Sequence, residues 1–256
     1  MRRRRVWHPG VAMKDYSRQI LSGEGDNDYT RYMRTDRLLD LQRRPDEMVH
    51  RDELLFQIVH QSTELWLKLA CTELRKAADH IDNADLNNAI ALLTRACLAM
   101  DLITDQLEMM RHLSPWDFQT IRTILGHGSG SDSPGWLSVR RDSRAIGKSF
   151  TTFVQNRGIE LIEVYRAEQH SEIHRLAEAM IEWDERVSLW RVRHFKITAR
   201  LIGHHATGTQ GTPVAMLTKL ISHRLFPELW EIRSFLTETG PMAQPNADLP
   251  GKFGDE

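Results

Sequence analysis

The sequence predicts an all-α fold, and three observations carry that prediction. Apolar residues recur at helical spacing over three long stretches, about 52–81, 86–112 and 170–203. Helix start and stop signals punctuate the chain, among them Ser114-Pro115, Gly203 and Phe226-Pro227. No segment alternates apolar and polar residues with the period of two that a half-buried strand needs. Long helices joined by short links pack antiparallel, so a helical bundle is expected.

Taken in order, residues 1–25 lack a clear period and hold Gly10, Gly23 and Gly25, which predicts a flexible arm. Arg2 to Arg5 form a basic cluster with no apolar run behind it, a solvated tail and not a secretory signal. A polar segment, Asp26 to Arg34, carries Tyr29, Tyr32 and Met33. Leu38, Leu39 and Leu41 then begin a short helix that Arg44-Pro45 ends. The long helix from Asp52 to about Ile81 has a polar stripe of Gln57, Gln61, Glu64 and Lys68. Beside it runs a second stripe of Phe56, His60, Thr63 and Leu67. After the link Asp82 to Asp85 comes a heptad-like helix over 86–112, with Leu86, Ile90, Leu93, Cys97, Met100 and Leu107 in its seam.

Ser114 caps a helix with Pro115 at its first position and Asp117 in its first turn. On one face of it Arg122 lies between Phe118 and Leu125, either snorkelling from the core edge or recognising a carboxylate through its fork. The loop Gly126 to Gly135, GHGSGSDSPG, permits close backbone approach but lacks the spacing and the preceding strand of a dinucleotide fingerprint. DSRAIGKS, 142–149, ends like a phosphate loop but has Asp142 where the first glycine belongs. Residues 144–168 read as helical, interrupted at Gly147 and Gly158. In the helix over 170–203, Ile173, Leu176, Met180, Trp183, Val187, Trp190, His194, Ile197 and Leu201 form one continuous seam. His170 and His174, at i and i+4, read as an exposed pair, since the zinc-protease pattern is absent. A loop rich in Gly and Thr spans Thr207 to Thr212, Pro213 restarts a helix through Leu225, and a last helix opens at Phe226-Pro227. The tail from Gly240 to Glu256 is rich in Pro, Gly and Asp and is expected to be mobile. The expected organisation is therefore an arm over 1–25, one domain over 26–239 and a tail over 240–256.

The 256 residues suffice for a sizeable core, and a formal net charge of −1 gives no electrostatic case for a nucleic-acid partner. No stretch reads as a membrane span. The two cysteines, Cys71 and Cys97, sit among apolar helical neighbours, which fits a reducing cytoplasm and not a disulfide framework.

His194 is the one imidazole in its seam. Buried without a partner it would cost about 1–3 kcal/mol. Either a nearby carbonyl or carboxylate satisfies it, the reading this helix alone favours, or a cofactor metal does. A di-iron bundle is excluded, because Glu47 to His50 is the single Glu-x-x-His pair. A nucleophile elbow, paired zinc cysteines and a phosphate cradle are missing too. What is left is two histidines on apolar helix faces, one arginine beside a loop, and two loops of small residues. That set suits a haem pocket, with one imidazole toward the iron and one free on the substrate side.

Four blocks then carry a resemblance: FQIVHQSTELWLKL (56–69), LSPWDFQTIRTILG (113–126), LWRVRHFKITARLIG (189–203) and HRLFPELWEIR (223–233). Together they resemble the tryptophan 2,3-dioxygenase family, and YTRYMRTDRLL (29–39) is similar to its N-terminal substrate-contacting segment. The resemblance implies an all-α protein enclosing haem b, usually a homotetramer built as a dimer of dimers, a homodimer being the smaller alternative. It makes His194 the axial iron ligand, with Trp190 beside the cofactor, and His60 the distal histidine that hydrogen-bonds the indole N–H. Phe56 lies beside the ring, Arg122 matches the arginine that grips the amino-acid carboxylate, and Thr209 and Ser129 match residues contacting the substrate. Tyr29, Tyr32 and Met33 match positions that reach over from a neighbouring subunit. The implied reaction uses O2 to open the indole C2–C3 bond of L-tryptophan, giving N-formylkynurenine.

The sequence also departs from that family. Phe118 stands where a tyrosine usually helps bind the carboxylate, the loop after Gly126 reads GSGSDSPGW in place of SSGFQS, and HHATGTQGTP lacks the glycines of GTGGSSG. The region over 137–175 is also shorter. These changes touch the substrate's polar end and leave the iron ligand intact. Two alternatives follow: a monooxygenase making an oxindole from a substituted tryptophan (or hydroxylating a tyrosine-type substrate), and a non-catalytic haem sensor or carrier. The second has no need of a carboxylate fork at Arg122.

Overall fold

The computed structural model of the chain describes residues 18–167, 170–240 and 243. Most of the expected arm, with Arg2 to Arg5, and nearly all of the expected tail lie outside the described residues. Contacts divide the chain into a unit ending at Met48 and a unit beginning at Val49. The described residues are helical throughout, apart from loops and one isolated antiparallel bridge between Thr207 and Pro213.

In the first unit, α1 (Asp28–Met33) and α2 (Thr35–Leu39) meet at Arg34, whose φ is 53°. The polar segment around Tyr29 is thus itself helical. Its start is fixed by a reciprocal cap: Thr30 N–H donates to Asn27 Oδ1 at 3.0 Å, and Asn27 N–H to Thr30 Oγ1 at 3.2 Å. The helix expected from Leu38 instead begins at Thr35 and stops at Leu39, and Pro45 opens a short 3₁₀ turn to Glu47.

In the second unit, α3 (Glu53–Asp82) and α4 (Leu86–Gln106) are the predicted antiparallel pair, turned by Ala84 at φ 59°. The end of the second helix tightens into a 3₁₀ turn, Leu107–His112. Next come α5 (Pro115–Arg122), α6 (Pro134–Asn156), α7 (Leu161–Ala167), α8 (Glu172–Ile202), α9 (Leu217–Ile221) and α10 (Pro227–Thr239). α4 packs against α3 and α8, and α3 also packs against α6. Leu67, Leu74, Leu93, Met100, Ile146, Leu176 and Trp183 are buried where these helices meet.

Several expectations need correction. α6 starts at Pro134, and Gly147 does not interrupt it. A Cβ there would lie 3.4 Å from the Phe226 ring, so close packing outweighs glycine's low helix propensity of about 1 kcal/mol. The real break is Gly158, at φ 59°. The helix after Pro213 ends at Ile221, short of Leu225. There the Ser188 hydroxyl donates to Ile221 O at 2.9 Å, and Arg191 Nη1 donates to Leu220 O at 3.1 Å and His223 O at 2.7 Å. Carbonyls that would continue the helix are thus taken by α8. Leu86–His112 is, by length and composition, apolar enough to cross a membrane, against the sequence expectation. It passes because Leu98 and Leu102 add exposed apolar residues to a helix whose other faces are core.

His170 falls before α8 at φ 71°, and its ring centroid lies 6.3 Å from that of His174. Among the described residues no cluster of three or more His, Cys, Asp or Glu is placed to hold a metal. Cys71 and Cys97 are free and buried, and burial pushes each thiol up to about 12.

Asp184 joins α8 to α10. Its Oδ2 accepts from Leu225 N at 2.8 Å, Phe226 N at 3.1 Å and Trp230 Nε1 at 2.9 Å, closing the start of α10 with a carboxylate. Asp184→Ala strands these donors. It is expected to cost roughly 2–3 kcal/mol in urea unfolding, and a loss below about 0.5 kcal/mol would contradict this role.

Candidate functional site

The predicted seam is continuous in the structure, and its burial changes where the chemistry was expected. Leu176, Met180, Trp183 and Val187 are buried on one side, and Ile197 and Leu201 on the other. Between them Trp190 and His194 are only half-buried. One turn apart on α8, their rings stack with centroids 4.8 Å apart and planes 8° from parallel. Trp136, in the first turn of α6, packs against Trp190 with ring centroids 3.9 Å apart and planes tilted by 37°. Among the described residues no hydrogen-bond partner is found for either His194 ring nitrogen. Desolvation, with a smaller push from neighbouring His60, holds its pKa at about 4. The ring is therefore neutral at physiological pH, with a lone pair available. Trp190 Nε1 is a buried donor that also lacks a partner among the described residues.

His60 comes from α3. Its Nδ1 lies 2.7 Å from Phe56 O, and because a carbonyl only accepts, the proton is on Nδ1 and Nε2 carries the lone pair. The residue is exposed, yet the protein atoms around the ring desolvate it and lower its pKa below the usual imidazole value. The Phe56 carbonyl and Glu64 oppose the shift. The Phe56 ring lies 4.1 Å from His60 and 5.8 Å from Phe118. Phe56, Phe118 and Trp190 all pack on an apolar cluster that includes Val59, Leu107, Ile121 and Ile197. The structure thus brings His60, Phe56, Phe118, Trp190 and His194 onto one apolar floor.

Arg122 ends α5 beside this floor. Its Nη1 donates to Gln119 Oε1 at 3.0 Å and its Nη2 to Thr207 O at 2.9 Å. Two of its five N–H groups are engaged, so three are left for a ligand. The tie to Thr207 pulls in the loop after Gly203, and that loop is sewn to the one after Gly126. The Thr209 hydroxyl donates to Gly128 O, and Gln210 Nε2 donates to Asp132 Oδ2 at 2.7 Å. Ser129 caps the 3₁₀ turn Gly130–Asp132, accepting from Ser131 N at 3.3 Å. The hydroxyls of Thr209 and Ser129 are thus engaged by the loops themselves. Tyr29, Tyr32 and Met33 belong to the first unit, where all three are exposed.

Sequence reasoning missed Gln119, Asp132, Gln210 and Trp136. Gln119 could have been found as the i,i+3 neighbour of Arg122. Asp132 could have been found as the last residue of the S-x-x-D cap that Ser129 opens, its carboxylate accepting from Ser129 N at 3.1 Å, whereas Gln210 and Trp136 act across loops or helices and leave no local signal.

A profile of the family described as tryptophan 2,3-dioxygenase matches residues 15–139 and 135–236. The chain belongs to the tryptophan 2,3-dioxygenase family. It is 27% identical to the tryptophan 2,3-dioxygenase of Myxococcus xanthus, over 86% of this chain and 94% of the relative. It is 28% identical to those of Saccharopolyspora erythraea (80% and 92%) and Shewanella woodyi (82% and 91%). The family assignment makes the chain an oxygenase and the fold that of the tryptophan dioxygenases. Gln210 and Asp132, which bond to each other, join the loop after Gly203 to the loop after Gly126.

Thr209→Val removes the hydroxyl tie while keeping the side-chain shape. A lost hydrogen bond of about 1 kcal/mol should speed amide exchange in residues 126–133 and 203–213 about fivefold, with the bundle unaffected. Exchange unchanged in both loops would contradict the loop-to-loop tie.

Proposed function

We propose that this chain is a haem-dependent oxygenase that opens the indole C2–C3 bond of L-tryptophan with both atoms of O2, yielding N-formylkynurenine. The observation that carries the reading is the neutral imidazole of His194, without a hydrogen bond among the described residues, on a floor shared with His60. The residues fit a b-type haem: one nitrogen donor, a buried Trp190 N–H without a partner among the described residues, and apolar packing from Leu107, Ile197 and Leu201. His194 would hold the iron, and Trp190 would lie beside the macrocycle.

Haem held by His194 would supply the ferrous iron needed to activate O2, chemistry no side chain provides. The protein's part is to place the indole. His60 Nε2, fixed as the acceptor by the Nδ1 bond to Phe56 O, accepts the indole N–H and holds that proton in place. Phe56 and Phe118 line the ring's apolar side and keep water from it. Arg122 uses its remaining donors on the substrate carboxylate, a charge-assisted fork that sets the distance from carboxylate to ring. With Phe118 in place of a tyrosine, no hydroxyl shares that carboxylate, so Arg122 carries more of the binding. Exposed Tyr29, Tyr32 and Met33 support assembly as a homo-oligomer in which they reach a neighbouring copy's site.

A second reading is favoured by the Asp132–Gln210 pair, which lies in the two loops that differ from the family: one oxygen atom inserted into a substituted tryptophan, giving an oxindole. Anaerobic reduction of haem-loaded protein, then L-tryptophan and O2, separates the two by mass. A gain of two oxygens is expected; a gain of one supports the oxindole route, and no product refutes L-tryptophan as substrate. Arg122→Ala should raise KM for L-tryptophan roughly 10–100-fold, and an unchanged KM would remove the carboxylate fork.

A further inference from the structure

We propose that Glu64 is a positioning residue for His194, acting through the tilted Trp136–Trp190 pair, whose second ring stacks on that imidazole. The inference relies on the reading of His194 as the iron ligand. Glu64 lies on α3, one turn beyond His60, and its carboxylate closes the first turn of α6. Its Oε2 accepts from Gly135 N at 2.9 Å and its Oε1 accepts from the Ser133 hydroxyl. Ser133 Oγ in turn accepts from Trp136 N at 3.1 Å. Two free N–H groups of the helix start are thereby tied, directly or through one hydroxyl, to a single carboxylate, where negative charge is favoured.

The fit leaves little slack. A Cβ on Gly135 would lie 2.6 Å from Leu67 Cδ1 and 2.7 Å from Glu64 Oε2, so the start of α6 lies as close to α3 as a bare backbone allows. Trp136 is the next residue. Its ring contacts Trp190 at 3.9 Å, and Trp190 lies face to face with His194 at 4.8 Å. Metal-bound histidines are commonly oriented by a hydrogen bond from their second nitrogen. His194 has no such bond among the described residues, so its orientation falls to the stack, and the position of the stack falls to Glu64.

The test uses Glu64→Gln, which keeps the shape but leaves one acceptor for the two donors, Gly135 N–H and the Ser133 hydroxyl, and Trp136→Leu, which removes the Trp136–Trp190 pair directly. In the haem-free protein, the circular-dichroism couplet lost in Trp136→Leu identifies the Trp136–Trp190 pair. Glu64→Gln is expected to diminish that couplet while leaving the helical signal intact. In the haem-loaded protein it should weaken haem affinity roughly 10–100-fold and shift the iron–histidine stretching band. In a Trp136→Leu background, Glu64→Gln should change affinity less than about twofold, because both act along one path. An intact couplet, an unchanged stretching band, or effects that multiply would overturn the proposal. Should Glu64→Gln fail to fold, Ser133→Ala removes one hydroxyl from the same path, and an unchanged couplet there would overturn it equally. Failure of the haem reading is distinguishable: His194→Ala would then keep wild-type haem affinity, while the couplet result would stand unaltered.

Discussion

A neutral imidazole on an otherwise apolar helix face is the constraint around which the second unit is arranged. Desolvation holds His194 at a pKa of about 4, and its nitrogens have no hydrogen-bond partner among the described residues. A nitrogen in that state is costly to desolvate, by about 1–3 kcal/mol, unless a ligand engages it. The surrounding residues preserve the condition. Ile197 and Leu201 bury the turns beyond it, and the stacked Trp190 covers one ring face without offering an acceptor or donor toward its nitrogens.

On the same floor α3 uses hydrogen bonding where α8 uses packing. His60 is bound through Nδ1 to the carbonyl of Phe56, which decides its tautomer and leaves a single acceptor at Nε2. Two imidazoles of one chain are thus prepared for different tasks by different means. Both are kept neutral, since desolvation lowers both pKa values, and a pair of neutral rings on one apolar floor avoids the repulsion of two cations. Arg122, at the edge of that floor and tied to Thr207, brings the charge suited to a carboxylate.

How much of this was legible in the sequence depended on the range over which each feature acts. The seam from Ile173 to Leu201, the cap at Ser114 and the three-residue turn before α4 are local, and spacing or residue type alone located them. Glycine propensity misled at Gly147, because Phe226, far away in the chain, packs against its bare backbone. The helix after Pro213 was drawn too long because Ser188 and Arg191 take its carbonyls from another helix. In the site, the histidines and Arg122 were readable as types on faces. The bond from Arg122 to Thr207 spans 85 positions, and the bonds from Glu64 to Ser133 and Gly135 span 69 and 71. Such ties leave no periodic trace, so the link between the two loops and the aromatic stack behind His194 emerged only from the folded chain.

The most direct measurement is an optical titration of the purified haem-free chain with haem, made in parallel on wild type and His194→Gly, each with and without added imidazole. The account predicts a Soret band of histidine-ligated haem in wild type, its loss in the variant, and its return when free imidazole occupies the vacated position. A variant that keeps the wild-type band without imidazole, or a wild-type chain that gives none, would contradict it.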